Sequence, residues 1–300
     1  MLPSGLGPNA FFGQIVLFQR FAMTQYMLRF FGRFSIHRDD RRVASGGTAK
    51  ERALLAYLAL ARGRFVARDV LATAFWGELP QSGARRSLST ALWRMKKILA
   101  SAGLPAETLI VSDGDGVRLT PGTVTIDVLD FTDALEPLLR LPPDTATEDH
   151  VARLEQAVAL CRGAFLEGIY DDWSLSQREI LAGRHQSALE HLLRCYETQG
   201  RAERVIALGR TLLDRDPLLE PLHRAVIRCH LARGDRSRAL QQFIRCAKAL
   251  RVELDVAPMR ETTALVAHLL PGHLRAGRLA VPPRPKAPRQ GFERRTPTPA

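Results

Sequence analysis

Between Met27 and Val43 the apolar positions alternate. Leu28 and Phe30, then Phe34 and Ile36, are separated by the turn residues Gly32 and Asp39-Asp40, which predicts a small antiparallel sheet. From Thr48 onward the spacing changes to three and four. Thr48-Ala49-Lys50-Glu51 has capping-box spacing, in which the hydroxyl and the carboxylate each satisfy a free backbone N–H. It opens a helix that turns Leu54, Leu55 and Leu58 inward and reaches Gly63. A second, shorter helix is predicted over Arg68 to Trp76, burying Val70, Leu71, Ala74 and Phe75, with Gly77 ending it. The third runs from Gly83 to Gly103, with Ser82 as its cap and Leu88, Leu92, Met95 and Leu99 on one side. Leu109 to Ser112, the turn Asp113-Gly114-Asp115-Gly116, and Val117-Arg118-Leu119 form a hairpin signal. Sheet, three helices, hairpin is the order of a winged helix with an N-terminal sheet.

Residues 141–148 have the composition of a linker or long loop, and 149–270 are helically patterned almost throughout. Cys195 and Cys229, Tyr196 and His230, Gly200 and Gly234, Leu192 and Val226, and Ile206 and Leu240 all lie 34 residues apart. That period is the one of tetratricopeptide helix pairs, with glycine in the tight inter-helix turn and Pro217 where such a repeat ends. Cys161 keeps the interval but Leu166 stands in the glycine position, so the first unit is irregular. The predicted fold is mainly α: a winged helix-turn-helix with a small β-sheet and a β-hairpin wing over 27–131, then an α-helical, tetratricopeptide-like domain over 149–270. Residues 1–26 lack the charged start and cleavage site of a signal peptide. They are expected to be a flexible leader, or to precede a functional start at Met27. The Pro- and Arg-rich tail 271–300 is expected to be disordered.

Charge gives the third helix its meaning. The net charge is +12, distributed as +1 over 1–26, +6 over 27–131, −1 over 132–270 and +6 over the tail. No acid lies between Glu78 and Glu107, whereas Arg85, Arg86, Arg94, Lys96 and Lys97 do. The side of the helix opposite its leucines carries Arg86, Thr90, Trp93 and Lys97, with Arg94 on the flank. One apolar side and one acid-free cationic side suit the major groove of double-stranded DNA. Arg86 and Thr90 would sit deepest, Arg94 and Lys97 would neutralise phosphates, and Arg118 on the hairpin would touch the minor groove or the backbone. For Trp93 two placements remain open: against sugar and base edges, or packed on the wing as core. Cys161, Cys195, Cys229 and Cys246 form no C-x-x-C pair and have no zinc-finger spacing, so buried thiols are expected, with no metal and no cofactor. No catalytic motif is present and no segment is long and apolar enough to span a bilayer, so neither an enzyme nor a membrane protein is expected. The contrasting class is an interaction adaptor whose winged helix does not bind DNA specifically.

These pieces resemble a known family. Leu28-Arg29-Phe30-Phe31-Gly32, Lys50 to Leu60 with Gly63-Arg64, Arg68-Asp69-Val70-Leu71 and Phe75-Trp76-Gly77-Glu78-Leu79-Pro80 resemble the opening of an OmpR-type winged-helix domain. Ala84, Leu88 and Trp93 to Leu99 resemble its recognition helix. Asp127 and Phe131, Ala157 to Gly163, Asp172-Trp173, Asp216 to Glu220 and Glu253-Leu254 resemble the bacterial transcriptional activator domain. In this order they resemble a short Streptomyces antibiotic regulatory protein (SARP). The resemblance implies a cytoplasmic, nucleoid-associated activator that binds direct repeats in promoter DNA, engages RNA polymerase holoenzyme and forms a homodimer. Three positions depart from the pattern. Ala67 stands where Ser or Thr often caps the second helix, Val117 where an aromatic follows the wing glycine, and Trp93 where a small or β-branched residue is common.

Overall fold

The computed structural model describes residues 25–122 and 124–269. The expected disordered tail and all but the last two residues of the expected leader lie outside the described residues. Strands β1 (Tyr26–Arg29), β2 (Ser35–Arg38) and β3 (Arg41–Ala44) form the antiparallel sheet that the alternation predicts. A further short strand, β7 (Thr125–Ile126), pairs parallel to β1 with Met27 opposite Thr125, giving the order β3-β2-β1-β7. Two residues are too few to show a period, so β7 has no signature in the sequence.

Helix α1 (Ala49–Leu60) starts at the predicted capping box. The Glu51 N–H donates to Thr48 Oγ1 at 3.3 Å and the Thr48 N–H to Glu51 Oε2 at 2.8 Å. Helix α2 (Arg68–Trp76) has the predicted limits but a different buried face. Leu71, Ala72, Phe75 and Trp76 are buried, while Val70 and Ala74 are exposed. Trp76 decides the rotation, because burying it with Phe75 turns Val70 out to solvent. Helix α3 (Gln81–Ser101) begins earlier than predicted. Pro80 occupies the N-cap and Ser82 lies inside the first turn, so Ser82 is not the cap. A short helix α4 (Ala106–Leu109) leads into strands β5 (Ile110–Asp113) and β6 (Gly116–Leu119), paired from Ile110–Leu119 to Asp113–Gly116. Strand β4 (Val66–Ala67) pairs with β6 on its other side and completes the three-stranded wing sheet. Val117 is fully buried there.

Helices α5 (Asp127–Arg140), α6 (Glu148–Leu160) and α7 (Asp172–Thr198) follow. The expected linker at 141–148 is shorter than predicted: it holds one 3-10 turn, Pro143–Thr145, and Thr147 already caps α6. These helices close on the winged helix. The buried Asp127 carboxylate accepts the N–H groups of Phe30 and Phe31 at 2.9–3.0 Å, and that of Val128 at 2.7 Å. Gly32 N–H donates to the Ala164 carbonyl and Leu166 N–H to that of Phe30, both at 2.8 Å. Trp173 stands edge-on to Tyr57 and Phe75, with ring centroids 5.2 and 5.9 Å away, as a core anchor. Asp171, two residues before it, holds the N-cap position without a side-chain bond to the helix start. One compact unit runs to Gln199 and a second begins at Gly200.

The second unit contains α8 (Ala202–Arg215), α9 (Glu220–Ala232), α10 (Arg236–Leu254) and α11 (Arg260–Val266). Its core gathers Ile227, Ala239, Phe243 and Val266. Gly200 and Gly234, one period apart, both have positive φ, 66° and 76°, as a tight turn between helices requires. Leu166 also has a positive φ, 49°, but in the irregular loop before α7 rather than in such a turn. Gly209 marks the close approach of α8 to α9: a Cβ there would stand 2.6 Å from Val226 Cγ2. Gly209→Val is expected to destabilise this unit by about 1–3 kcal/mol through overpacking, read as a lowered thermal midpoint.

Candidate nucleic-acid interface

Helix α3 exists because its inward face is apolar at helical spacing. Ala84, Leu88, Ala91, Leu92, Met95 and Leu99 are all buried. Its end is a Schellman turn: Gly103 has φ 86° and donates to the Ala100 carbonyl at 2.9 Å, while Leu104 N–H reaches that of Leu99 at 3.0 Å. Tyr26 crowds this turn, its hydroxyl oxygen lying 2.5 Å from where a Cβ on Gly103 would sit, so a larger residue would have to displace the Tyr26 side chain as well as adopt the positive φ.

The outward face carries Arg86, Thr90, Trp93, Arg94 and Lys97, all exposed. Trp93 is 56% exposed, which removes the alternative of packing on the wing. Lys97 Nζ lies 4.0 Å from the centre of its ring, a cation–π pair on the surface. The Thr90 hydroxyl donates to the Arg86 carbonyl at 3.1 Å, which leaves its oxygen as an acceptor and its methyl for apolar contact.

The face is acid-free along the helix but not in space. Asp69 of α2 accepts both prongs of Arg85 at 2.6 and 2.7 Å, and this guanidinium holds the Asp69 carboxyl below its usual range. Glu51, the capping-box residue, lies 3.6 Å from Arg94, and Glu107 pairs with Lys96. Among the described residues Arg86 and Lys97 have no ion-pair partner. Sequence reasoning missed this sorting, because every acid involved comes from another element.

Residues 126–270 match the family model described as the bacterial transcriptional activator domain. The chain is 29% identical over 232 residues to the transcriptional regulatory protein MoaR1 of Mycobacterium tuberculosis, covering 75% of this chain and 73% of that one. It is also 29% identical to the transcriptional regulatory protein EmbR of the same species, over 75% of this chain and 58% of EmbR. To the regulatory protein AfsR of Streptomyces coelicolor it is 29% identical over 74% of this chain and 22% of AfsR. A solved structure of M. tuberculosis EmbR, in complex with a low-affinity phosphopeptide, superposes with a TM-score of 0.62 at 27% identity, covering 83% of this chain and 66% of that one. EmbR, MoaR1 and AfsR are SARP-family regulators. The chain is a transcriptional regulator similar to these proteins.

In this regulator the elements around α3 hold it from behind. Lys50 Nζ donates to the Phe75 carbonyl at 2.6 Å and to Glu78 at 3.0 Å, tying α1 to the end of α2. Arg68 reaches Ser89 Oγ on α3 at 3.0 Å. Ala67 offers no cap to α2, and the wing supplies one instead: the Arg68 N–H donates to the Asp115 carbonyl at 2.6 Å. Arg118 is half-buried, with its guanidinium 4.5 Å from the centre of the Phe65 ring. It is set back from the wing tip, where Asp113 and Asp115 are exposed. Among the described residues no helix is long and apolar enough to cross a membrane.

Proposed function

We propose that this regulator binds double-stranded promoter DNA sequence-specifically, inserting the outer face of α3 into the major groove. Arg86 reads base edges, and Thr90 offers an acceptor and a methyl beside it. Arg94 and Lys97 neutralise phosphates, Trp93 lies against sugar and base edges, and Arg118 backs the wing's contact. The observation that carries this reading is the sorting of cations on α3: Arg85 and Lys96 are spent on internal acids, whereas Arg86 and Lys97 face solvent without one. The activator domain engages RNA polymerase or a second copy of the chain, and the site of action is the nucleoid in the cytoplasm. The role is regulatory rather than catalytic, as the named activities of the relatives support.

Titration onto its own upstream region and neighbouring promoters at several salt concentrations tests this. A protected footprint and a negative log–log salt slope are expected. Lys97→Ala is expected to weaken binding to all sequences alike and to reduce the slope by about one. A chain that protects no promoter at any salt concentration would instead be the interaction adaptor.

A further inference from the structure

Two histidines and a cysteine of the first unit meet in its interior. His150 lies in the first turn of α6, where its backbone N–H is fixed by the Thr147 hydroxyl at 3.2 Å. His191 and Cys195 are four residues apart on α7 and so share a face. His150 is 6% exposed, His191 7% and Cys195 0%. A donor atom from each residue lies within 4.8 Å of the others, and the two imidazoles are tilted by 52° with centroids 5.9 Å apart.

Both histidine Nε2 atoms are buried and have no hydrogen-bond partner in the protein. Leaving a buried polar atom unmatched costs about 1–3 kcal/mol, and here both such atoms belong to the histidines of one cluster. Burial lowers the pKa of both imidazoles, with Arg153 acting in the same direction on His150 and Asp149 opposing it, and with His150 and Arg194 reinforcing the effect on His191. Neutral imidazole is the form that ligates metal. Burial likewise raises the Cys195 thiol, so a metal ion entering the cluster would displace its proton.

We propose that His150, His191 and Cys195 bind one zinc(II) ion. Two imidazoles and a thiolate suit zinc by ligand softness, and three protein ligands leave a fourth position for water. Tetrahedral zinc with such ligands separates its donor atoms by about 3.3–3.6 Å, and the three here lie within 4.8 Å of one another. Binding releases one proton from the thiol, forms the Zn–S bond and fastens the start of α6 to the C-terminal half of α7. The site is independent of the DNA-reading face and owes nothing to it. The sequence held half of it in the spacing of His191 and Cys195; the third ligand comes from another helix, 41 residues upstream of His191.

The test is titration of the chelator-treated full chain with cobalt(II), followed by zinc(II). One equivalent of cobalt is expected to raise a thiolate-to-metal charge-transfer band, which zinc then abolishes while raising the thermal midpoint. Cys195→Ser is expected to lose the band, His150→Asn to weaken cobalt binding at least tenfold, and Cys161→Ser to leave both unchanged. Circular dichroism establishes that each variant is folded. His150→Asn, in the first turn of α6, keeps the test decisive should Cys195→Ser fail to fold. A folded wild-type chain with no band at stoichiometric cobalt overturns the proposal. So does a band that survives Cys195→Ser, or cobalt binding in a folded His150→Asn as tight as wild type.

Discussion

Arg86→Ala is expected to weaken binding to the preferred promoter site by about 5- to 150-fold while leaving non-specific binding within a few-fold. That range corresponds to the roughly 1–3 kcal/mol that a bidentate arginine–guanine pair contributes to discrimination. Arg86 is exposed, in a groove it shares with Thr90, Arg94 and Lys50, and no carboxylate occupies its fork. Its neighbour Arg85 gives the contrast. Both of its prongs are on Asp69, so Arg85→Ala should loosen α2 against α3 with no selective loss of one base. Competition binding with matched specific and random duplexes at one salt concentration separates the two outcomes. An unchanged ratio of specific to random affinity in Arg86→Ala would mean that this side chain reads no base.

Asp127→Ala is expected to lower the stability of the first unit by about 3 kcal/mol or more, seen as a fall in the urea midpoint. The substitution strips the acceptor from three backbone amides, those of Phe30, Phe31 and Val128, and each buried orphan costs about 1–3 kcal/mol. The pH dependence of the wild type carries a signature of the same group. Burial raises the Asp127 carboxyl to about 6, with the amide bonds from Phe30, Phe31 and Val128 pulling the other way. The unfolded value is about 3.9. Between these values the folded chain holds a proton that the unfolded chain has released. The group's contribution to stability is therefore full below pH ~4, falls as pH rises to ~6, and is level above that. Asp127→Ala should remove this falling limb from a plot of midpoint against pH.

What the sequence disclosed and what it hid divide along one line. The inward face of α3 was legible because Leu88, Leu92, Met95 and Leu99 repeat at helical spacing within a single element. The Thr48–Glu51 capping box and the hairpin turn are local in the same sense. Local patterning failed where a partner from elsewhere decides the outcome. Trp76 rotates α2 and exposes Val70; Pro80 starts α3 two residues before the expected serine cap. The extent of the first unit was hidden for the same reason. Asp127, Phe165 and Trp173 attach α5 and α7 to the winged helix through contacts that no periodicity records. Of the candidate DNA-facing residues, exposure on α3 was predictable from the helical wheel. Which cations are already matched was not, since Asp69, Glu51 and Glu107 are supplied by other elements.

Arg68 sits at a junction of three elements. Its amide is held by the wing turn at Asp115, its backbone starts α2, and its guanidinium rests on Ser89 of α3. One residue thereby ties the wing turn, the start of α2 and α3 together, so under the proposed function a shift of the wing would be felt at α3.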